Sequence, residues 1–335
     1  MIFEQKPDVR VHGREEEEVT PVHSDTAPAA IAGHTAATPE PRFHLRDYAI
    51  LLKPRVMSLV VFTGLVGLML APVPVAPLTG LIAVLCIAVG AGAAGAINMW
   101  YDRDIDRVMQ RTMHRPLPAG RLQPRAALLM GCILAVASVA IMAALVNAVA
   151  AGLLALTVCY YVFIYTMWLK RRTPQNIVIG GASGALPPII GWAAASGDIA
   201  WGAIALFAII FLWTPPHSWA LALFRKGDYD RAGVPMMPVV AGERSTRVQI
   251  LAYTCLLVPA TFLPVAAGVS GWPYAVAAAV LGALLLRHAW RVYRDDGVRT
   301  ARSLFFFSIL YLFLIFSALL LDRALAAHLA LLVHP

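Results

Sequence analysis

The sequence predicts an all-α polytopic membrane protein with nine transmembrane helices. Three observations lead there. Hydrophobic residues fill 59% of the 335 positions and charged residues only 14%, with a mean hydropathy of +0.70. A soluble domain carries about a quarter charged residues to cover its wet surface. The composition therefore excludes a water-soluble enzyme, a disordered scaffold and a free nucleic-acid-binding protein. Second, apolar runs of about twenty residues, enough to cross a bilayer as a helix, recur along the chain. Third, lysine and arginine are confined almost wholly to alternate gaps between those runs.

Residues 1–45 stand apart. They hold Glu15–Glu18, several prolines and alanines, and His12, His23, His34 and His44, with no apolar periodicity. They read as a disordered tail without the apolar segment of a secretory signal. The histidine spacing fits no known metal site. The membrane domain, 46–325, then carries apolar runs at 49–71, 78–100, 125–146, 149–169, 176–196, 200–222, 248–268, 272–293 and 302–322, followed by a short tail at 326–335. Recurrent glycines such as Gly90, Gly92, Gly95, Gly180, Gly181 and Gly184 suit helices that approach closely in lipid. Cys86, Cys132, Cys159 and Cys255 lie inside apolar runs without a CxxC pair and read as small core residues. Trp201, Trp219, Trp272 and Trp290 fall near predicted membrane borders, and Tyr160 and Tyr161 read as bundle packing.

Of the 22 lysines and arginines after residue 50, 21 fall on one side of this nine-span arrangement; only Arg323 falls on the other. By the positive-inside rule, the N-terminus and the basic gaps are cytoplasmic. The net charge of +8 is thus mostly topology, and it argues for no nucleic acid. Lys53 and Arg55 at that border read as contacts to an anionic ligand group or as snorkelling anchors, with anchoring favoured.

Acidic residues are scarcer. Asp102, Asp104, Asp106, Asp228 and Asp230 form two clusters, each at the cytoplasmic end of an even-numbered span. In Asn98-Met-Trp-Tyr-Asp102-Arg-Asp104-Ile-Asp106, residues 98, 102 and 106 lie four apart. A helix turns only about 40° per four residues, so their oxygens form one stripe and Asp104 points away. Such a stripe suits a hard cation, and Mg²⁺ favours carboxylates plus substrate phosphates. The Arg111–Arg121 loop that follows, rich in arginine, proline and glycine, is suited to close over a polyanion. The plainer reading pairs these acids with neighbouring arginines at a solvated helix end. In the second cluster, Pro215-Pro216 predicts a break in the sixth span, with His217 beside it. His217 reads equally as a packed histidine or a functional one.

These residues resemble a known family. Asn98–Asp106 written NxxxDxxxD, followed by RPLPAGR at 115–121, resembles the UbiA-type intramembrane prenyltransferases. LKPRV (52–56), GGASGALPPIIGW (180–192) and WTPPHSWALALFRKGDYDRAGVPMMPVV (213–240) resemble its heme O synthase branch. The likeness spans residues 46–325 and implies the UbiA fold, nine helices around a central cavity, with Mg²⁺, farnesyl diphosphate and protoheme IX. It also implies an inner-membrane location among lipid and, as a partner, a downstream heme-modifying or terminal oxidase assembly protein. Asn98, Asp102 and Asp106 match the first metal–diphosphate motif and Asp228 the second aspartate region. Arg111 and Arg115 match the basic positions after the first motif, Tyr165 and Lys170 the tyrosine–lysine pair, and Arg225 lies in the second block. In many relatives the second motif reads DxxxD, whereas Ala232 stands four after Asp228 here, leaving Asp230 as a substitute or the second metal weakly held. Tyr165 and Lys170 are also one residue further apart than the usual YxxxK. His217 is a candidate for heme iron or a propionate.

Two other readings compete. A quinone- or chlorophyll-type aromatic prenyltransferase shares the ionisation chemistry but takes another acceptor. A transporter also has many spans and broken helices, but it places coupling-ion sites near the midplane, whereas these acids gather at one face.

Overall fold

A computed structural model describes residues 44–333; the tail read at 1–45, with His12, His23 and His34, lies outside them except for its last two residues. Helix α1 (Leu45–Leu51) and helix α2 (Pro54–Leu70) meet at 52°. The bend has a local cause. Pro54 sits in the first turn of α2, where a missing N–H costs nothing, and Lys53 before it has φ 51° and ψ 52°. Among the described residues it is the one non-glycine with positive φ.

Helix α3 (Pro77–Tyr101) runs into short α4 (Arg103–Val108), and a loop leads to α5 (Pro124–Leu145). Helix α6 (Ala148–Cys159) continues as a π-helix over Tyr160–Leu169. Helices α7 (Asn176–Ala185) and α8 (Pro187–Ser196) make one 21-residue span, interrupted where Pro187 and Pro188 remove backbone donors. Helix α9 (Trp201–Phe224) is followed by short α10 (Lys226–Arg231) and α11 (Met237–Val240). Helices α12 (Gly242–Ala260) and α13 (Leu263–Ala266) form the next span, then α14 (Trp272–Arg294) and α15 (Val298–Val333). Among the described residues, eight spans are long and apolar enough to cross a membrane, and the bent α1–α2 pair makes a ninth.

The bundle is closed by packing of the first span on the last, α2 against α15, while α9 packs on α7, α12 and α15. Helices α2 and α8 touch backbone to backbone: a Cβ on Gly191 would lie 1.9 Å from the Gly64 carbonyl oxygen. At the end away from the acids, polar side chains are consumed by caps. Asn147 accepts from Ala150 N–H at the start of α6 and donates to the Ala193 and Ala194 carbonyls. Asp322 accepts from Gly271 and Tyr274 N–H at the start of α14.

Several sequence expectations change. Helix α9 runs unbroken through Pro215 and Pro216, because the flanking helices hold it where the prolines withdraw two backbone donors. Helix α15 continues through 326–333, where a tail was expected. Trp219 is fully buried and edge-on to Tyr253, unlike the exposed Trp201, Trp272 and Trp290. Of the cysteines only Cys86 is in the core; the other three face outward. Short apolar runs do not say which flank meets lipid, so these assignments waited on packing.

Candidate active site

The stripe expected at the end of the second span is present. Asn98, Asp102 and Asp106 are all buried, whereas the Asp104 side chain is 62% exposed. Helix α3 stops at Tyr101, but Asp106 N–H still donates to the Asp102 carbonyl, so the helical register carries across the break. Asn98 Nδ2 donates to Asp102 Oδ2 at 2.8 Å and to Thr166 Oγ1 at 3.2 Å.

Each acid meets a base. Lys170 pairs with Asp102 Oδ2, and Arg115 Nη1 donates to Asp106 Oδ2 at 2.8 Å. Arg171 grips Asp104 through two 2.8 Å bonds, and these hold the Asp104 carboxyl below the usual carboxylate range. Burial works against the Lys170 charge, but the Asp102 carboxylate outweighs it and lifts the ammonium above its ordinary range. The plain reading of paired charges thus holds in part: Asp104 is paired at an exposed helix end, whereas Asp102 and Asp106 are paired in buried positions.

Lys53 is the main residue that sequence reasoning misplaced. Its Nζ donates to Asn98 Oδ1 at 2.7 Å, so it turns into the site and is not a snorkelling anchor. The left-handed backbone at Lys53 and the α1–α2 bend aim it there. Thr166, Arg171, Arg231 and Gln110 were also missed. Nothing in a sequence marks a threonine or a backbone amide as a partner, though the Lys-Pro step hinted at a bend.

The π-helix explains the stretched tyrosine–lysine pair. Lys170 N–H donates to the Tyr165 carbonyl five residues back, at 2.9 Å. A π turn takes up the extra residue, so Tyr165 and Lys170 keep a shared face. Gly180 makes room for the Tyr165 ring, since a Cβ there would lie 2.2 Å from Cδ2. Tyr160 packs as expected, its hydroxyl on the Ile179 carbonyl, but Tyr161 lines the central cavity.

The second acidic segment meets the first. Asp228 is buried, pairs with Arg231, and lies 4.0 Å from Arg225. Gln110 N–H, just past α4, donates to Asp228 Oδ1 at 3.3 Å. Asp230 is exposed and stands outside this buried group. Arg111 is exposed on the intervening loop, close enough to influence Tyr165 electrostatically.

Among the described residues no three His, Cys, Asp or Glu side chains converge as a closed metal cage. Two buried carboxylate oxygens, Asp102 Oδ1 and Asp228 Oδ2, nevertheless accept no hydrogen bond. Each instead faces an arginine, Arg171 at 3.6 Å and Arg225 at 4.0 Å, and hard acceptors of this kind fit Mg²⁺ ligation completed by phosphate and water.

Beside this polar end lies an apolar cavity of about 840 Å³, walled by α2, the π-helix, α7, α9 and α15. Tyr165 belongs to both regions, lining the cavity and standing near Lys170, Asp102 and Tyr229. Among its lining residues, Val56 on α2 and Phe306 on α15 are each 61% exposed, so the cavity reaches the lipid face there. His217 also lines it, its ring stacked between Trp213 and Phe305 at centroid distances of 4.3 and 4.7 Å.

Relatives carry this architecture. The chain is 59% identical over 281 residues to the protoheme IX farnesyltransferase of Azorhizobium caulinodans, covering 83% of this chain and 92% of that protein. It is 57% identical over 296 residues to the protoheme IX farnesyltransferase of Parvibaculum lavamentivorans, covering 87% and 93%. Among solved structures, a UbiA homologue from Aeropyrum pernix K1 superposes with a TM-score of 0.65 at 21% identity, over 80% of this chain and 98% of that one. A homologue from Archaeoglobus fulgidus bound to GPP and Mg²⁺ gives 0.58 at 18%, over 82% and 99%. Residues 60–310 match the UbiA prenyltransferase family. With the helical bundle, the paired acidic segments and the adjoining apolar cavity, this chain belongs to the UbiA prenyltransferase family, as a multi-pass membrane prenyltransferase.

Proposed function

We propose that this protein transfers the farnesyl group of farnesyl diphosphate to a vinyl group of protoheme IX, with addition of water, giving heme O and diphosphate. The supporting observation is Tyr165, which lines an apolar cavity large enough for a bulky ligand and whose carbonyl accepts from the N–H of Lys170 in the buried cluster of acids and bases. The family relationship and the names of the relatives point the same way.

Asn98, Asp102, Asp106 and Asp228 bind the metal–diphosphate end of the substrate. These residues would hold Mg²⁺, which when bound would supply neutralisation of the charge growing on the departing diphosphate. Lys53, Arg111, Arg115, Lys170 and Arg225 supply cations around the same anion. The C1–O bond of the farnesyl chain breaks and its electron pair leaves with the diphosphate. The vinyl π pair then bonds to C1, and water captures the resulting cation next to the macrocycle, releasing a proton. The apolar walls keep bulk water from the allylic cation until that bond forms. The rings of Tyr161 and Tyr165, at the border of cavity and charge, stabilise it through their π faces. The basic end of the bundle, and with it this site, faces the cytoplasm, in accord with the distribution of lysine and arginine.

Mass spectrometry of the product tests the reading. Membranes containing the protein, given farnesyl diphosphate, hemin, reductant and Mg²⁺, are expected to yield the hydroxyethylfarnesyl heme. Consumption of farnesyl diphosphate with a phenolic acceptor, and none with heme, would move the protein to the aromatic prenyltransferases.

A further inference from the structure

We propose that Nε2 of His217 is the axial ligand to the iron of the acceptor heme, and that Ser308 on α15 is the positioning residue that prepares it. The inference rests on the protoheme reading above and adds how the heme is held. His217 Nδ1 and Ser308 Oγ lie 2.8 Å apart, across 91 residues of chain. Ser308 Oγ also donates to the Phe305 carbonyl at 2.7 Å. A hydroxyl has one proton to give. With that proton committed to Phe305, the oxygen meets His217 as an acceptor, so Nδ1 carries the imidazole proton and Nε2 keeps its lone pair.

The rest of the packing directs that lone pair. Trp213 and Phe305 cover the two ring faces. Trp213 is itself fixed, its Nε1 donating to the Ser308 carbonyl at 2.8 Å, so one residue of α15 holds two aromatic side chains one turn apart on α9. With both faces and Nδ1 engaged, the edge carrying Nε2 is the part left to line the cavity. Among the described residues, the side-chain hydrogen bond of the ring is the one made at Nδ1. A histidine whose other nitrogen donates to an oxygen is the usual arrangement at metals, because that bond sets tautomer and ring orientation. Heme iron commonly takes such a ligand.

The same geometry separates iron from propionate. A propionate contact needs a proton on Nε2. Supplying it means giving up the Ser308 bond or placing an imidazolium between two aromatic rings in an apolar wall. A neutral imidazole with its lone pair exposed repels a carboxylate and accepts a metal.

The full-length protein in detergent is titrated with hemin and, separately, with iron-free protoporphyrin IX, followed by absorption and electron paramagnetic resonance. Wild type is expected to show a histidine-ligated spectrum with hemin. His217→Gly is expected to lose it, to bind hemin roughly tenfold or more weakly, and to recover the spectrum when free imidazole is added. Binding of iron-free protoporphyrin IX is expected to stay within about twofold of wild type, which also shows that the cavity is intact. Ser308→Ala is expected to keep the ligand but weaken hemin binding roughly tenfold, as loss of such a supporting contact does, with Ser308→Thr restoring it. An unchanged hemin spectrum and affinity in His217→Gly would overturn the ligand assignment and leave the protoheme reading standing. Failure of wild type to bind either porphyrin would overturn that reading, and the assignment with it.

Discussion

The backbone N–H of Gln110 donates to the carboxylate of Asp228 across 118 residues of sequence. This contact seats the loop after the first acidic motif directly on the second. Two acidic segments at the ends of different spans are thereby joined into one site, with Arg115, Lys170, Arg225 and Arg231 distributed among their carboxylates. On the function proposed above, a diphosphate entering here would meet cations already gathered, and the acids they now neutralise would become available to a metal.

Asp102→Asn and Asp106→Asn keep the shape of each side chain and remove its charge. Turnover of farnesyl diphosphate with Mg²⁺ is expected to fall by about 10²–10³-fold or more in each. Helical circular dichroism and elution in detergent are expected to stay as in wild type. Full activity in either variant would remove the metal assignment.

Lys53 combines a left-handed backbone with an amine turned onto Asn98. Lys53→Ala and Lys53→Gly both delete the contact to Asn98, and both are expected to weaken prenyl diphosphate binding about tenfold, the order of one charge-assisted contact. Only glycine relieves the left-handed backbone, so the glycine variant is expected to be more stable than the alanine variant by roughly 1 kcal/mol. Thermal unfolding of the pair, compared with binding measured by calorimetry, separates the two roles.

Within the π-helix, deleting exposed Trp168 leaves four residues from Tyr165 to Lys170, the spacing of an ordinary α turn. The two side chains stay on one face, so the variant is expected to retain activity within about tenfold of wild type. Inserting an alanine at the same place sets the two six residues apart, and if the segment reverts to α-helix Lys170 then stands about 240° around the axis from Tyr165, off the shared face. That variant is expected to lose diphosphate turnover. Equal activity in both variants would mean that the shared face is irrelevant.

Lys170 also makes an alkaline prediction. Its pKa is raised in the folded protein by Asp102, so its contribution to stability is complete below the unfolded value, about 10.4, and is lost as pH climbs through the higher folded value. Thermal midpoints measured from pH 7 to 10 are therefore expected to show no loss from this pair. Above that window the wild type is expected to weaken by a component that Lys170→Met lacks.

The sequence by itself determined the number of spans, the end of the bundle that carries charge and the stripe formed by Asn98, Asp102 and Asp106. Each depends on local patterns: apolar run length, the placement of basic gaps and the helical period. The tertiary structure decided what no local pattern encodes. It turned Lys53 inward onto Asn98, absorbed the extra residue before Lys170 in a π turn, and kept α9 helical through Pro215 and Pro216. It also set Ser308 against His217. The physical reason is that these features arise from partners tens of residues away or from neighbouring helices. A side chain's direction inside a bundle is chosen by what fills the space around it, and that space exists only once the spans have packed.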